Sequence, residues 1–166
     1  MDAAQLKNIQ RPIKQRYRDD PETAIITLRA EGQLSDSEVA CSVATGQALV
    51  EAGLHPATGG DGSLACSGDM LLQALVACAG VTLRSVATNQ GIEVSGTITA
   101  EGDLDFRGTL GVDRDTPVGF AEIRLLFHLD SSAPSDDLDK LVATTERYCV
   151  IYQTLAASPR LDVHRT

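Results

Sequence analysis

Four cysteines stand at positions 41, 66, 78 and 149 of a 166-residue chain. Thiols serve proteins as buried small hydrophobes, as metal ligands or as redox groups. No CxxC or HxxxH spacing joins them with His55 into a zinc site. Cys78 sits in the middle of "SLACSGDMLLQALVACAGVTLRSVA", residues 63–87, which reads as an almost wholly apolar helix. A thiol there is either inert core filling or a protected reactive centre. To attack an electrophile it must be a thiolate, so a pKa near 8.5 has to fall. The helix start does not help, because Cys78 lies more than two turns beyond it and the dipole acts mainly in the first turn. Burial works the other way, so a cation from elsewhere is expected. Asp69 precedes Cys78 by nine residues, about 900° of rotation and about 13.5 Å of rise in a helix. That is the opposite face, where Asp69 favours the helix start or orients an arginine.

The other candidates have plainer readings. Cys41 alternates with Val39 and Val43 and reads as core. Cys66 lies just before the helix, structural or accessible enough to be a second reactive group. "TGGDGS", residues 58–63, lacks the Lys-Ser/Thr ending and the preceding parallel strand of a phosphate-cradling loop, and reads as a flexible connection. His128 and His164 fall in expected strands with no triad partner at readable spacing.

These residues need elements to hold them. Leu6, Ile9, Ile13 and Tyr17 recur every three or four residues, predicting an amphipathic helix over 4–18, split or kinked at Pro12 and stopped by Pro21. Strands are expected in "TAIITLRAEG", "SEVACSVATG", "QALVEAGL", "IEVSGTITAEGDL" and "GFAEIRLLFHLD", with "PRLDVHR" closing. "APSDDLDKLVATTERYCVIYQTLA" reads as one helix with Ser135 as N-cap and Asp136 and Asp137 on its positive end. The order is α+β with antiparallel sheet.

Net charge is −9, with 43% hydrophobic and 22% charged residues. A chain this acidic makes nucleic acid and membrane surfaces poor partners. No apolar run in the sequence approaches the roughly 20 residues of a bilayer span. The polar N-terminus is unlike a secretory signal, so the expected setting is cytoplasmic, where structural disulfides are rare. The central helix has no wide polar face: Leu71, Leu72, Leu75, Val76, Val81, Leu83 and Val86 surround it. A second subunit would bury it, with Ala74, Ala77, Ala79 and Gly80 allowing close backbone approach.

"DMLLQALVACAGVTLR" and "ERYCVIYQTL", in this element order, resemble the OsmC/Ohr family of osmotically inducible and organic hydroperoxide resistance proteins. The likeness covers nearly everything after residue 20, which divides the chain into a helical extension over 1–20 and an OsmC-like domain over 21–166. It implies antiparallel sheets packed on a long central helix, in an intertwined homodimer with active sites between subunits. It further implies that Cys78 is peroxidatic and Cys149 resolving, in a thiol peroxidase for organic hydroperoxides that serves oxidative stress defence. No bound cofactor is implied, only an external dithiol reductant of lipoyl or thioredoxin type. Family peroxidases hold the thiolate with an arginine from the first strands; Arg29 is the candidate here, with Arg18 behind it and Asp69 as the nearby acid. The alternative is a redox-sensing or small-ligand-binding relative without appreciable turnover. The sequence departs from the family in having "SGDM" where Pro and Glu often open the central helix, and Val150 where a proline often follows the second cysteine.

Overall fold

The computed structural model describes residues 2–20, 25, 32–34, 40–45 and 48–165, with backbone only at positions 9, 17, 32–34, 40–45 and 48. Helix α1 spans Ala3–Asp19. It opens on a reciprocal cap in which Gln5 N–H donates to Asp2 Oδ1 at 2.8 Å and Asp2 N–H to Gln5 Oε1 at 2.9 Å. The expected split at Pro12 does not occur. Pro12 and Asn8 are both exposed, so water can take the hydrogen bond that proline cannot give. Of the strand expected over 23–31 only Ile25 is described, and it is exposed and outside any strand; the other residues lie outside the described ones.

Strands β1 (Gly32–Leu34), β2 (Ala40–Thr45), β3 (Ala48–Gly53) and β4 (Ala65–Cys66) form one sheet in that order. The first three pair antiparallel, with Ser42 opposite Glu51 and Cys41 opposite Ala52. β4 departs from the antiparallel expectation and runs parallel to β3, Ala52 opposite Ala65. The 54–64 connection returns the chain in the same direction, through a 3₁₀ turn at Pro56–Thr58. Within it the Asp61 carboxylate accepts from the Ser63 N–H at 2.8 Å and from its hydroxyl at 2.6 Å, so "TGGDGS" is locally tied.

Helix α2, Ser67–Gln90, follows β4 directly. Its end is closed by Gly91 at φ 71°, with Gly91 N–H on the Thr88 carbonyl at 3.3 Å and Ile92 N–H on Ala87 at 3.0 Å. That is the paired bonding of a left-handed glycine cap. β5 (Ser95–Leu104) and β6 (Phe120–Asp130) make a two-stranded ribbon, separated by the single turn α3 (Phe106–Thr109). Ser95 Oγ reaches the Asp130 carbonyl while Arg124 Nη2 reaches Asp103, so the strands run antiparallel. At Gly96, φ 128°, a Cβ would fall 1.9 Å from the His128 carbonyl oxygen, so only glycine fits. The alternation in β6 buries Ile123, Leu125 and Phe127 in part and leaves His128 exposed, as the sequence pattern predicts.

The predicted last helix is two helices. α4 covers Ser135–Tyr148 and α5 covers Val150–Ala156, with Cys149 extended between them at φ −73°, ψ 109°. Pro134, not Ser135, takes the cap position of α4 and makes no side-chain bond. Residues 157–165 form no closing strand.

The chain divides into two compact units. One comprises 1–10, 74–100 and 125–166; its core is Leu83, Ala87, Val94 and Leu141, with Val86, Ile92, Phe127, Leu129 and Leu138 against them. Truncating a fully buried leucine such as Leu141 costs about 2–5 kcal/mol. The other comprises 11–73 and 101–124, with the four-stranded sheet and the start of α2. α2 is 24 residues long, and its most apolar 18-residue stretch has a mean hydropathy of 1.6, enough by length and composition to cross a bilayer, contrary to the expectation that no run comes close. Four of its residues, Leu75, Ala79, Leu83 and Ala87, are buried inside the protein.

Candidate active site

α2 carries Cys78 because this part of the sequence is a continuous run of helix formers and small residues, with Asp69 in its first turn. Cys78 is half-buried, between the fully buried Leu75 and Ala79. Cys149 is fully buried, and both thiols are free. They lie close enough for each thiol to shift the other's pKa, and in opposite senses.

Burial is the largest influence on Cys78 and raises its pKa, yet the net shift is downward. The donors that overcome burial are, in order, the backbone N–H of Ile151, the thiol of Cys149 and the N–H of Val150, with the Thr82 hydroxyl the smallest influence. The one proton of Thr82 is given to the Cys78 carbonyl at 2.8 Å, so Thr82 is not a free donor to the sulfur. Cys149 moves the other way. Burial again comes first and raises it, the Tyr152 N–H lowers it, and the hydrogen bond and charge of Cys78 raise it further. The Cys149 sulfur makes no cap bond to α5, and the Tyr152 N–H does not offset burial. The pair therefore favours a thiolate at Cys78 and a thiol at Cys149, titrating as a coupled pair. A nucleophilic sulfur beside a protonated one suits attack followed by disulfide formation.

The second unit holds a cavity of about 340 Å³ lined by Cys66, Asp69, Leu72, Asp103, Phe106 and Phe120 among others. His55 also lines it, its ring stacked on Phe106 at 5.0 Å and its Nδ1 accepting from Ala57 N–H at 3.0 Å. Arg124 holds the Asp103 carboxyl below its ordinary range by hydrogen bonding. Among the described residues, no group of three or more His, Cys, Asp or Glu is placed to hold a metal ion.

The pattern of the OsmC-like protein family matches residues 60–164, well over half of the chain. The chain belongs to the OsmC-like family. A comparison with curated proteins gives no match. Among solved structures, an OsmC-like protein from Mycoplasma pneumoniae is similar with a TM-score of 0.67 at 16% identity, over 80% of this chain and 89% of that one. An organic hydroperoxide resistance protein OsmC from Legionella pneumophila gives 0.59 at 18%, over 80% and 91%. The organic hydroperoxide resistance protein OhrB of Bacillus subtilis gives 0.56 at 16%, over 80% and 93%. At these identities the likeness establishes the OsmC-like fold, mixed α and β around a long central helix. It also identifies α2 as that helix, which accounts for its apolar length without a membrane.

The OsmC-like chain brings Cys78 and Cys149 together. Asp69 is placed at the start of α2, on the cavity of the second unit. Arg29 lies outside the described residues. Arg18, exposed on α1, gives its Nη1 to Gln15 at 3.3 Å. Cys66 is half-buried at the cavity and Cys41 lies on β2, its side chain outside the described residues. His164 is exposed and 3.4 Å from the Asp162 carboxylate. The sequence reading missed the neighbours that act on Cys78. Thr82, four residues on, was legible from helix spacing. Val150 and Ile151 were not, because they act through the backbone and only after the helix restarts at Cys149.

Proposed function

We propose that this OsmC-like protein is a cytoplasmic thiol peroxidase that reduces organic hydroperoxides in oxidative stress defence. The observation that supports the reading best is the Cys78–Cys149 pair, one thiol favoured as anion and its neighbour as acid. The Cys78 thiolate attacks the terminal oxygen of ROOH, the O–O bond breaks, and the alkoxide takes a proton to leave as ROH. Cys78 is then a sulfenic acid. The Cys149 sulfur attacks it, the S–O bond breaks, and the disulfide forms with release of water. An external dithiol of lipoyl or thioredoxin type reduces the disulfide by exchange, itself becoming oxidised. Arg29 remains the proposed cation for the thiolate and Asp69 the acid that orients it. The working form is a homodimer, supported by apolar groups left exposed near the pair: Val81 at 74%, Val150 at 68% and Tyr148 at 62%. Residues 1–20 are a helical extension to the domain over 21–166.

The substrate class follows from Leu75, Val76 and Val81 around Cys78. Each methylene buried against such residues contributes about 0.8 kcal/mol, so three exceed a tenfold preference. A dithiol-coupled assay is expected to give a higher kcat/KM for cumene hydroperoxide than for hydrogen peroxide, and peptide mapping after one turnover to find a Cys78–Cys149 disulfide within one chain. Equal rates would remove the apolar-pocket argument; Cys78 overoxidised beside a free Cys149 would remove the resolving role. A second reading, ligand binding without turnover, draws on the cavity at Cys66 and Phe106. Undetectable turnover with binding of an apolar ligand there would favour it.

A further inference from the structure

In one unbroken helix the Val150 N–H would donate to the Glu146 carbonyl, and the Ile151 N–H to Arg147. The extended turn at Cys149 undoes both pairings. A carbonyl released in this way is ordinarily left to water. The Glu146 carbonyl is not: the Gln153 side-chain amide donates to it at 2.9 Å, seven residues along the chain. The backbone on either side is also tied, Cys149 N–H to the Thr145 carbonyl at 2.8 Å and Gln153 N–H to the Cys149 carbonyl at 3.0 Å. Gln153 is thus fixed through its main chain on one side of the break and through its side chain on the other.

We propose that Gln153 is a positioning residue, a strut that occupies the helical acceptor of Val150 and so keeps the Val150 and Ile151 N–H groups turned to the Cys78 sulfur. Were α4 and α5 to fuse, the Glu146 and Arg147 carbonyls would reclaim those two N–H groups. Gln153 touches no reacting atom and acts through the backbone. Its neighbour Thr154 lacks this role, since its hydroxyl donates to the Val150 carbonyl at 2.8 Å within α5. The inference rests on Cys78 as the nucleophile of the proposed reaction.

The test is pH-dependent alkylation of Cys78 in the full-length reduced protein, read by mass spectrometry. Gln153→Met keeps the side-chain length and removes the donor. Its midpoint is expected to move up, with the rate at pH 7 falling about two- to tenfold, the size of one hydrogen bond. Thr154→Val, which loosens α5 without touching the bridge, is expected to leave the profile in place. A Gln153→Met profile superimposed on the parent, or an equal shift in Thr154→Val, overturns the proposal. In the unsubstituted protein, the amide proton shifts of Val150 and Ile151 should follow the Cys78 titration, and their indifference would overturn it without any variant. A flat profile with peroxidase activity intact defeats the strut alone. Activity that survives Cys78→Ser defeats the reading beneath it.

Discussion

Cys66 and Cys78 lie at α2, one just before its first residue and the other eleven residues inside it, and both are half-buried thiols. Their surroundings have opposite chemistry. Cys78 meets hydrogen-bond donors, the amides that begin α5 and the thiol of Cys149. Cys66 shares its cavity with the carboxylates of Asp69 and Asp103 and with aromatic rings. A thiolate gains from donors and positive charge. Similar exposure therefore says little about which thiol reacts; the donors gathered at Cys78 single it out.

The contrast is sharpest in turnover. Cys78→Ser is expected to lower hydroperoxide reduction by on the order of 10³ or more, as removal of a nucleophile does, whereas Cys66→Ser should leave it unchanged in the same coupled assay. A matching loss in Cys66→Ser would dissolve the distinction between the two sites. A smaller, reciprocal effect is expected in titration. Cys149→Ala removes a donor, so the Cys78 midpoint should rise and its alkylation at pH 7 slow several-fold. Cys78→Ala removes both the hydrogen bond and the charge that raise Cys149, so that midpoint should fall. In the parent, the Cys78 thiolate is lost as pH drops through a midpoint below the ordinary thiol value, while Cys149 ionises only above it. Alkylation of both cysteines with one shared, unshifted midpoint would contradict the pair. The smallest effect concerns Gly80. A Cβ there would meet Ile98 Cδ1 at 3.8 Å, an ordinary contact, so nothing among the described residues requires glycine. Gly80→Ala should raise folding stability by about 0.5–1 kcal/mol in a thermal melt. In sedimentation it should weaken self-association if another subunit's backbone lies on this face; unchanged association would clear that face of the interface.

Much of this was legible in advance for a physical reason. The period-two alternation of Ile123, Leu125 and Phe127 records the half-buried face of β6, and the unbroken run of helix formers from Leu71 to Val86 marks α2, so both elements were readable. The Cys78–Cys149 association came from the family likeness, not from spacing. The break at Cys149 was hidden because "RYCVIYQ" contains neither Gly nor Pro, and the bond that spans it joins the Gln153 side chain to a carbonyl seven residues earlier, a contact no helical spacing predicts. For the same reason the sequence reading looked for a cation at Cys78 and overlooked main-chain donors. Ala79 was expected on an intersubunit face, yet it is fully buried within its own unit. An apolar helix does not show from sequence which side its own chain will cover.

The buried residues of α2 are spaced by four: Leu75, Ala79, Leu83, Ala87. Four residues turn a helix by about 400°, so each step advances the line by about 40°. Over its three steps the seam winds about a third of the way around the cylinder while climbing about 18 Å. The uncovered strip winds with it. A flat surface or a straight rod laid along the axis would lose contact with that strip within two turns, so whatever covers it must approach obliquely, along the inclined ridges of every fourth side chain. The pitch of a four-residue repeat thus constrains the crossing direction of any partner before a single contact with it is made.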